Sequence, residues 1–152
     1  RMKAQTQAAR ALVYLASAQV DRTGLGDEAA KDRLEILTPL AKAHGTDLGN
    51  EVASLGIQVH GGMGYIEETG AAQFFRDARI TPIYEGTNGI QAADLVGRKL
   101  GLSNGAAFAT LISTFARCKT SSISAVLTRS LSGMMTIRFI FVFSAIELRR
   151  KS

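Results

Sequence analysis

The segment "IYEGTNGIQ", residues 83–91, places one glutamate after an Ile-Tyr pair and ahead of Gly-Thr-Asn-Gly. Gly86 lets backbone or ligand come close to the Glu85 carboxylate. Thr87 suits a helix N-cap, and Ile90, Ala93, Leu95 and Val96 carry an apolar face onward from it. Glu85 then stands on the short segment that feeds the chain into a helix. That is a good place for a working carboxylate. Without context, a loop glutamate is more often simply solvated.

The elements that must position this carboxylate are helical. A first helix is expected from Lys3 to Asp21, with Ala4, Ala8, Ala11, Leu12, Leu15 and Ala16 as a narrow stripe of mostly small side chains. "DRTGLGD" reads as a turn, and Asp27 caps a second helical region that continues to Val59. Leu34, Leu37, Ala41, Leu48, Val52 and Leu55 are its inward positions, and Pro39 is expected to kink it. The glycine turn "HGGMGY" ends that region. A third helix starts at Thr69, with Phe74 and Phe75 partly buried and Arg76, Asp77 and Arg79 in structural ion pairs. "ITPIYE" is expected to be extended, because Pro82 disfavours helical backbone at Thr81. A fourth helix runs from Thr87 to Leu100. The fold class is therefore all-α, an antiparallel (up-down) four-helix bundle with an atypical C-terminal tail.

Composition narrows the function classes. The 152 residues are 46% apolar, enough for one domain with a real core. No apolar run reaches the roughly 18 residues of a membrane span. Two His and one Cys offer no metal-ligand cluster, and Cys118 alone fits a reducing compartment. His60 reads as a helix-end residue. The net charge of +5 comes entirely from the tail, since residues 1–100 hold 11 basic and 12 acidic residues. Residues 102–152 are Ser/Thr-rich and basic, with a β-prone "IRFIFVF" that breaks the helical period of residues 1–101. Out-of-frame translation would look like this. A first residue that is not Met, as if in mid-helix, further suggests a fragment.

In "QVHGGMGYIEETGAAQFFRDARITPIYEGTNGIQ" three pieces follow in order: Gln58-x-x-Gly61-Gly62-x-Gly64-Tyr65, Arg76-Asp77-Ala78-Arg79, and Tyr84-Glu85-Gly86-Thr87. This set resembles the C-terminal helical domain of the flavin-dependent acyl-CoA dehydrogenases, over residues 1–101. "LTPLAKAHGTDLGNEVASLGIQVHGG" is similar to a bacterial long-chain subgroup. The resemblance implies that Glu85 is the base that removes the pro-R α-proton of an acyl-CoA, while the β-hydrogen leaves as hydride to FAD. It implies that the glutamate's backbone N–H helps hold the enolate oxygen. Gly86 matches the substrate-touching position, and Thr87 and Asn88 match positions that touch FAD. Gln58, Gly61, Gly62 and Gly64 match the turn that holds the ADP half of FAD, bound mainly by a neighbouring subunit; glycines let backbone N–H groups approach the pyrophosphate. Gly89, Gln73 and Gly97 depart from common family residues, and Arg98 would face elsewhere on a regular helix, so CoA contacts are not carried over.

The reading that follows is the C-terminal domain of an enzyme making trans-2-enoyl-CoA in fatty-acid β-oxidation. This stretch, lacking the N-terminal and middle domains, is expected to be inactive and without FAD. Acyl-CoA as substrate, electron-transfer flavoprotein as acceptor, a homo-oligomer and a bacterial-like cytoplasmic setting accompany it. The alternative is a non-catalytic helical oligomerisation module. Nucleic-acid binding through the basic tail is a weaker third, because no aromatic residues interleave with the charges.

Overall fold

The computed structural model describes residues 1–117, so the tail segment "IRFIFVF" and Cys118 lie outside the described residues. Every regular element among the described residues is helical: α1 Met2–Gly24, α2 Glu28–His60, α3 Gly62–Tyr65, α4 Ala71–Ile80, α5 Asn88–Asp94 and α6 Ala106–Arg117. A 3₁₀ turn, Glu67–Thr69, joins α3 to α4, and a π turn, Leu95–Lys99, extends α5. Residues Arg1–Ala109 form one compact unit.

The 33-residue α2 is the spine of that unit, and α1, α4 and α5 all pack against it. Its start is fixed by Asp27, whose carboxylate accepts from the Ala30 N–H at 3.0 Å. A side-chain cap of this kind contributes about 1 kcal/mol. The same carboxylate pairs with Arg22 at 2.8 Å and Arg33 at 3.2 Å, tying the end of α1 to the start of α2. Gly26, with φ +90°, makes the reversal between them.

The two helices run antiparallel, as their cross-links require. Gln5 donates to Glu51 at 2.9 Å near one end, and Arg33 Nε donates to Gln19 Oε1 at 2.9 Å near the other. Gln19 is buried, and its amide N–H also reaches the Leu15 carbonyl at 3.1 Å, so its polar groups are satisfied. Between these links the core gathers on α2. Ala30, Ile36 and Leu37 are fully buried, and Leu48, Ala8 of α1 and Ala71 and Ala72 of α4 lie within it.

Several expectations need correction. The segment after α4 is not extended: Thr81 has φ −61° and ψ −35° and donates its N–H to Ala78 O at 3.2 Å. The turn bonds of this segment outweigh the preference that Pro82 imposes on its predecessor. Phe74 is 73% exposed rather than partly buried. Among the described residues, Arg76 pairs with Glu67 at 3.4 Å and Asp77 accepts from Gln73 at 2.6 Å. The fourth helix reaches Leu100 only by changing to a π turn, in which Leu100 N–H bonds Leu95 O at 3.0 Å.

Candidate active site

The loop that carries Glu85 is built by two turns and a reversal. Ile83 and Tyr84 both donate to Ile80 O, at 2.9 and 3.2 Å, which winds the chain off the end of α4. Glu85 and Gly86 then take left-handed backbone, φ +54° and +85°. For glycine this costs little, but for glutamate it costs about 1–2 kcal/mol. Thr87 returns to extended backbone and accepts from Ile90 N–H at 3.3 Å as the N-cap of α5. The Asn88 N–H closes the loop on Pro82 O at 3.1 Å.

Polar contacts anchor this loop to α2. Asn88 Nδ2 faces three acceptors on α2: Asp47 Oδ1 at 2.8 Å, Thr46 Oγ1 at 3.1 Å and Ala43 O at 3.2 Å. Lys42 Nζ donates to Asn88 Oδ1 at 2.9 Å and to the Gly86 carbonyl at 2.7 Å. The Glu85 side chain is exposed, and its carboxylate makes no ion pair or hydrogen bond among the described residues. A surface groove of about 520 Å³ runs beside the loop, lined in part by Asp47, Asn50, Phe75, Arg79, Thr87 and Asn88.

The glycine turn lies elsewhere. Gly61 has φ +61° and ψ −144°, a conformation open essentially to glycine alone, and its N–H bonds Gln58 O at 3.2 Å. His60, read from the sequence as a helix-end residue, bonds back to Gly56 O through Nδ1 at 2.8 Å in the last turn of α2. A β-carbon at Gly61 or Gly62 would meet no described atom within 4 Å beyond its chain neighbours and local helix backbone, so these two glycines are not required by packing. Gly64 is different: it is buried, and a β-carbon on it would sit 2.3 Å from Ile57 O. From Ala43 to Gln58 along α2 is about 22 Å at helical rise. The base loop and the glycine turn are thus two places on one helix, not one pocket.

At the end of α5, Asp94 is held below the usual carboxylate range by its hydrogen bond from Arg98, with Lys99 assisting at 3.3 Å. Lys99 also reaches Glu35 at 3.0 Å, which fastens the π turn to α2. Arg98 is therefore engaged with Asp94 in the π turn. Among the described residues, no group of three His, Cys, Asp or Glu could hold a metal ion, and no helix is long and apolar enough to cross a membrane.

Residues 1–100 match the family described as acyl-CoA dehydrogenase, C-terminal domain. The chain belongs to the acyl-CoA dehydrogenase family. It is 54% identical over 104 residues to 3-methylmercaptopropionyl-CoA dehydrogenase of Ruegeria pomeroyi, covering 66% of this chain and 18% of that protein. It is 38% identical over 111 residues to butyryl-CoA dehydrogenase of Syntrophomonas wolfei, covering 70% and 18%. It is 32% identical over 99 residues to the caffeyl-CoA reductase–Etf complex subunit CarC of Acetobacterium woodii, covering 65% and 24%. The matched stretch thus spans about a fifth of the length of these relatives.

Acyl-CoA dehydrogenases are FAD-dependent, and the residues here fit that cofactor unevenly. The absence of side chains at Gly61 and Gly62 leaves room beside the turn for a phosphate, although the Gly61 N–H is already bonded to Gln58 O. Gln58 is exposed beside it. The Thr87 oxygen accepts the capping bond, while its hydroxyl proton can still be donated into the groove it lines. Gly64 instead meets a packing demand, and Asn88 spends both its amide and its N–H within the fold. Sequence reasoning missed Lys42. A lysine in the middle of an amphipathic helix carries no signal of its own, and only the return of the chain after α4 brings Gly86 to it.

Proposed function

We propose that this chain is the catalytic-base domain of an FAD-dependent acyl-CoA dehydrogenase that converts an acyl-CoA to trans-2-enoyl-CoA, with Glu85 as the base. The observation that carries the reading is the left-handed backbone of Glu85, a non-glycine residue held in a costly conformation with its carboxylate unengaged. Such strain persists where the surrounding contacts impose it, and here they do so on one carboxylate.

Glu85 takes the α-proton of the bound thioester. Its own backbone N–H, which donates to no described residue, is available to the thioester oxygen as negative charge develops. Gly86 matches the position beside the thioester, and the space a side chain would need there is taken by Gln91 Nε2, 3.0 Å from where a β-carbon would stand. Bound FAD supplies the acceptor for the β-hydrogen as hydride. Gln58, Gly61, Gly62 and Gly64 form the turn for the ADP half, and Thr87 and Asn88 the edge nearer the flavin. The 22 Å spacing, about fifteen residues of helical rise, supports the two groups serving FAD molecules of neighbouring subunits.

The same reading takes α1, α2, α4 and α5 as an antiparallel four-helix bundle within a homo-oligomer in a cytoplasmic setting. Val59, Met63, Tyr65 and Phe74, all exposed, supply apolar surface for association. The naming of an Etf complex subunit among the relatives supports electron-transfer flavoprotein as acceptor. The stretch by itself, without the rest of an enzyme of this family, is proposed to be inactive.

The test is a chimera in which this chain replaces the matching segment of the R. pomeroyi dehydrogenase. Acyl-CoA should bleach its flavin. Glu85→Gln should slow that bleaching by about 10²–10⁴-fold, the usual worth of a general base. Unchanged reduction in the variant would refute the assignment. Sedimentation of the chain itself tests association, and a monomer at high concentration would count against the oligomer.

A further inference from the structure

We infer that Lys42 is a positioning residue for the base loop, holding Glu85 in its left-handed conformation by grasping the next carbonyl along the chain. The inference rests on Glu85 being the base. Lys42 lies on α2, 43 positions before Glu85, half-buried beneath the loop. Its ammonium bonds the Gly86 carbonyl at 2.7 Å and Asn88 Oδ1 at 2.9 Å. Hydrogen bonds from a charged donor are roughly twice as strong as neutral ones. Together with the Asn88 N–H on Pro82 O, they fasten Glu85–Asn88 at both flanks.

The geometry also explains why a cation is needed. Gly86 would otherwise be free to rotate, because its backbone at φ +85° has as many alternatives as any glycine. If the Gly86 carbonyl turns away, Glu85 loses the restraint on its C-terminal side and can relax towards the right-handed region that its side chain prefers. Gln91 Nε2 touches the same carbonyl only at 3.5 Å and the Glu85 carbonyl at 3.4 Å, too long to take over. Asn88 completes the clamp from the other side. Lys42 therefore acts through a peptide unit and does not itself meet the substrate.

Two measurements decide it. In the 152-residue chain, amide hydrogen exchange and the Lys42 ammonium NMR signal report the clamp directly. The ammonium signal should be slowed in exchange with water, Lys42→Met should raise exchange at the Asn88 amide by about tenfold or more, and Lys42→Arg should restore part of the protection. In the chimera, Lys42→Met should lower kcat by more than about tenfold while KM moves less than about threefold, because base placement is felt mainly in the transition state. Unchanged exchange in Lys42→Met overturns the clamp. Looser exchange with unchanged kcat, alongside an inactive Glu85→Gln, overturns the link to catalysis while leaving the base assignment standing. An active Glu85→Gln refutes the base assignment, and exchange alone then judges the clamp. Circular dichroism on both Lys42 variants separates these results from loss of the fold.

Discussion

Gly64 lies against the last turns of α2 so closely that a β-carbon on it would stand 2.3 Å from the Ile57 carbonyl and 2.8 Å from His60 Cβ. The first neighbour is backbone and cannot step aside. The Gly64 N–H meanwhile bonds Gly61 O at 2.9 Å, so the turn cannot open without losing that bond. Glycine is required here by packing, whatever the turn binds.

Gly64→Ala should therefore destabilise the chain by about 1–3 kcal/mol, the usual range for overpacking. For a unit of this size that is about 4–8 °C in melting temperature per kcal/mol. Gly62→Ala, whose β-carbon would meet no described atom within 4 Å beyond its chain neighbours and local helix backbone, is the control and should cost much less. Calorimetry of both variants checks this, and equal losses would show that the close approach is not what glycine serves.

Asn88→Ala should destabilise by about 1–3 kcal/mol, because Asp47, Thr46 and Lys42 each lose one bond and the loop loses its shared anchor. The four contacts involved, at 2.8, 2.9, 3.1 and 3.2 Å, all run to α2. Urea unfolding measures the loss. An unchanged midpoint would mean that Asn88 does not anchor the loop, and its place beside a cofactor would then be its main role.

The helices were largely legible because their signals are local. Asp27 reads as a cap and is one, Thr87 likewise, and the period of Leu37, Leu48 and their neighbours names the buried side of α2. Ile36 and Gln19 were missed for a physical reason: Ile36 sits next to the expected stripe, and Gln19 is buried only because Arg33 crosses from α2 to satisfy it. The site divides the same way. Glu85, Gly86 and Thr87 are adjacent in sequence and could be found there. Lys42 and Asp47 reach the loop across some 40 residues, and nothing in either neighbourhood announces it. The extended reading of "ITPIYE" failed because one pre-proline preference was set against several turn bonds it could not foresee.

Asp27 should make the junction of α1 and α2 sensitive to acid. The Ala30 N–H, and then Arg22 and Arg33, hold its carboxyl below the usual carboxylate range. A depressed folded value means that the stabilisation is present above the unfolded pKa of about 3.9 and is lost as pH falls through the folded one. Wild type should thus lose stability below about pH 4 faster than Asp27→Asn, which keeps a capping oxygen but carries no charge. At pH 7 the variant should be the less stable of the two. Parallel denaturation curves across that range would show that the Asp27 charge does not contribute.

The strain at Glu85 yields the sharpest separation of stability from activity. At φ +54°, any residue with a β-carbon meets the same clash, and only glycine escapes it. Glu85→Ala removes the carboxylate but keeps the clash, whereas Glu85→Gly removes both. Glycine relieves about 1–2 kcal/mol of left-handed strain and returns about 0.5–1 kcal/mol through its looser unfolded chain. Glu85→Gly should accordingly unfold at a higher urea concentration than Glu85→Ala, and at least as high as wild type, while both leave the chimera unable to reduce its flavin. This is the pattern expected where a fold accepts a strained residue for the sake of its chemistry. If Glu85→Ala proves the more stable of the two, the left-handed conformation is not imposed on residue 85 in solution, and the argument from strain to function fails with it.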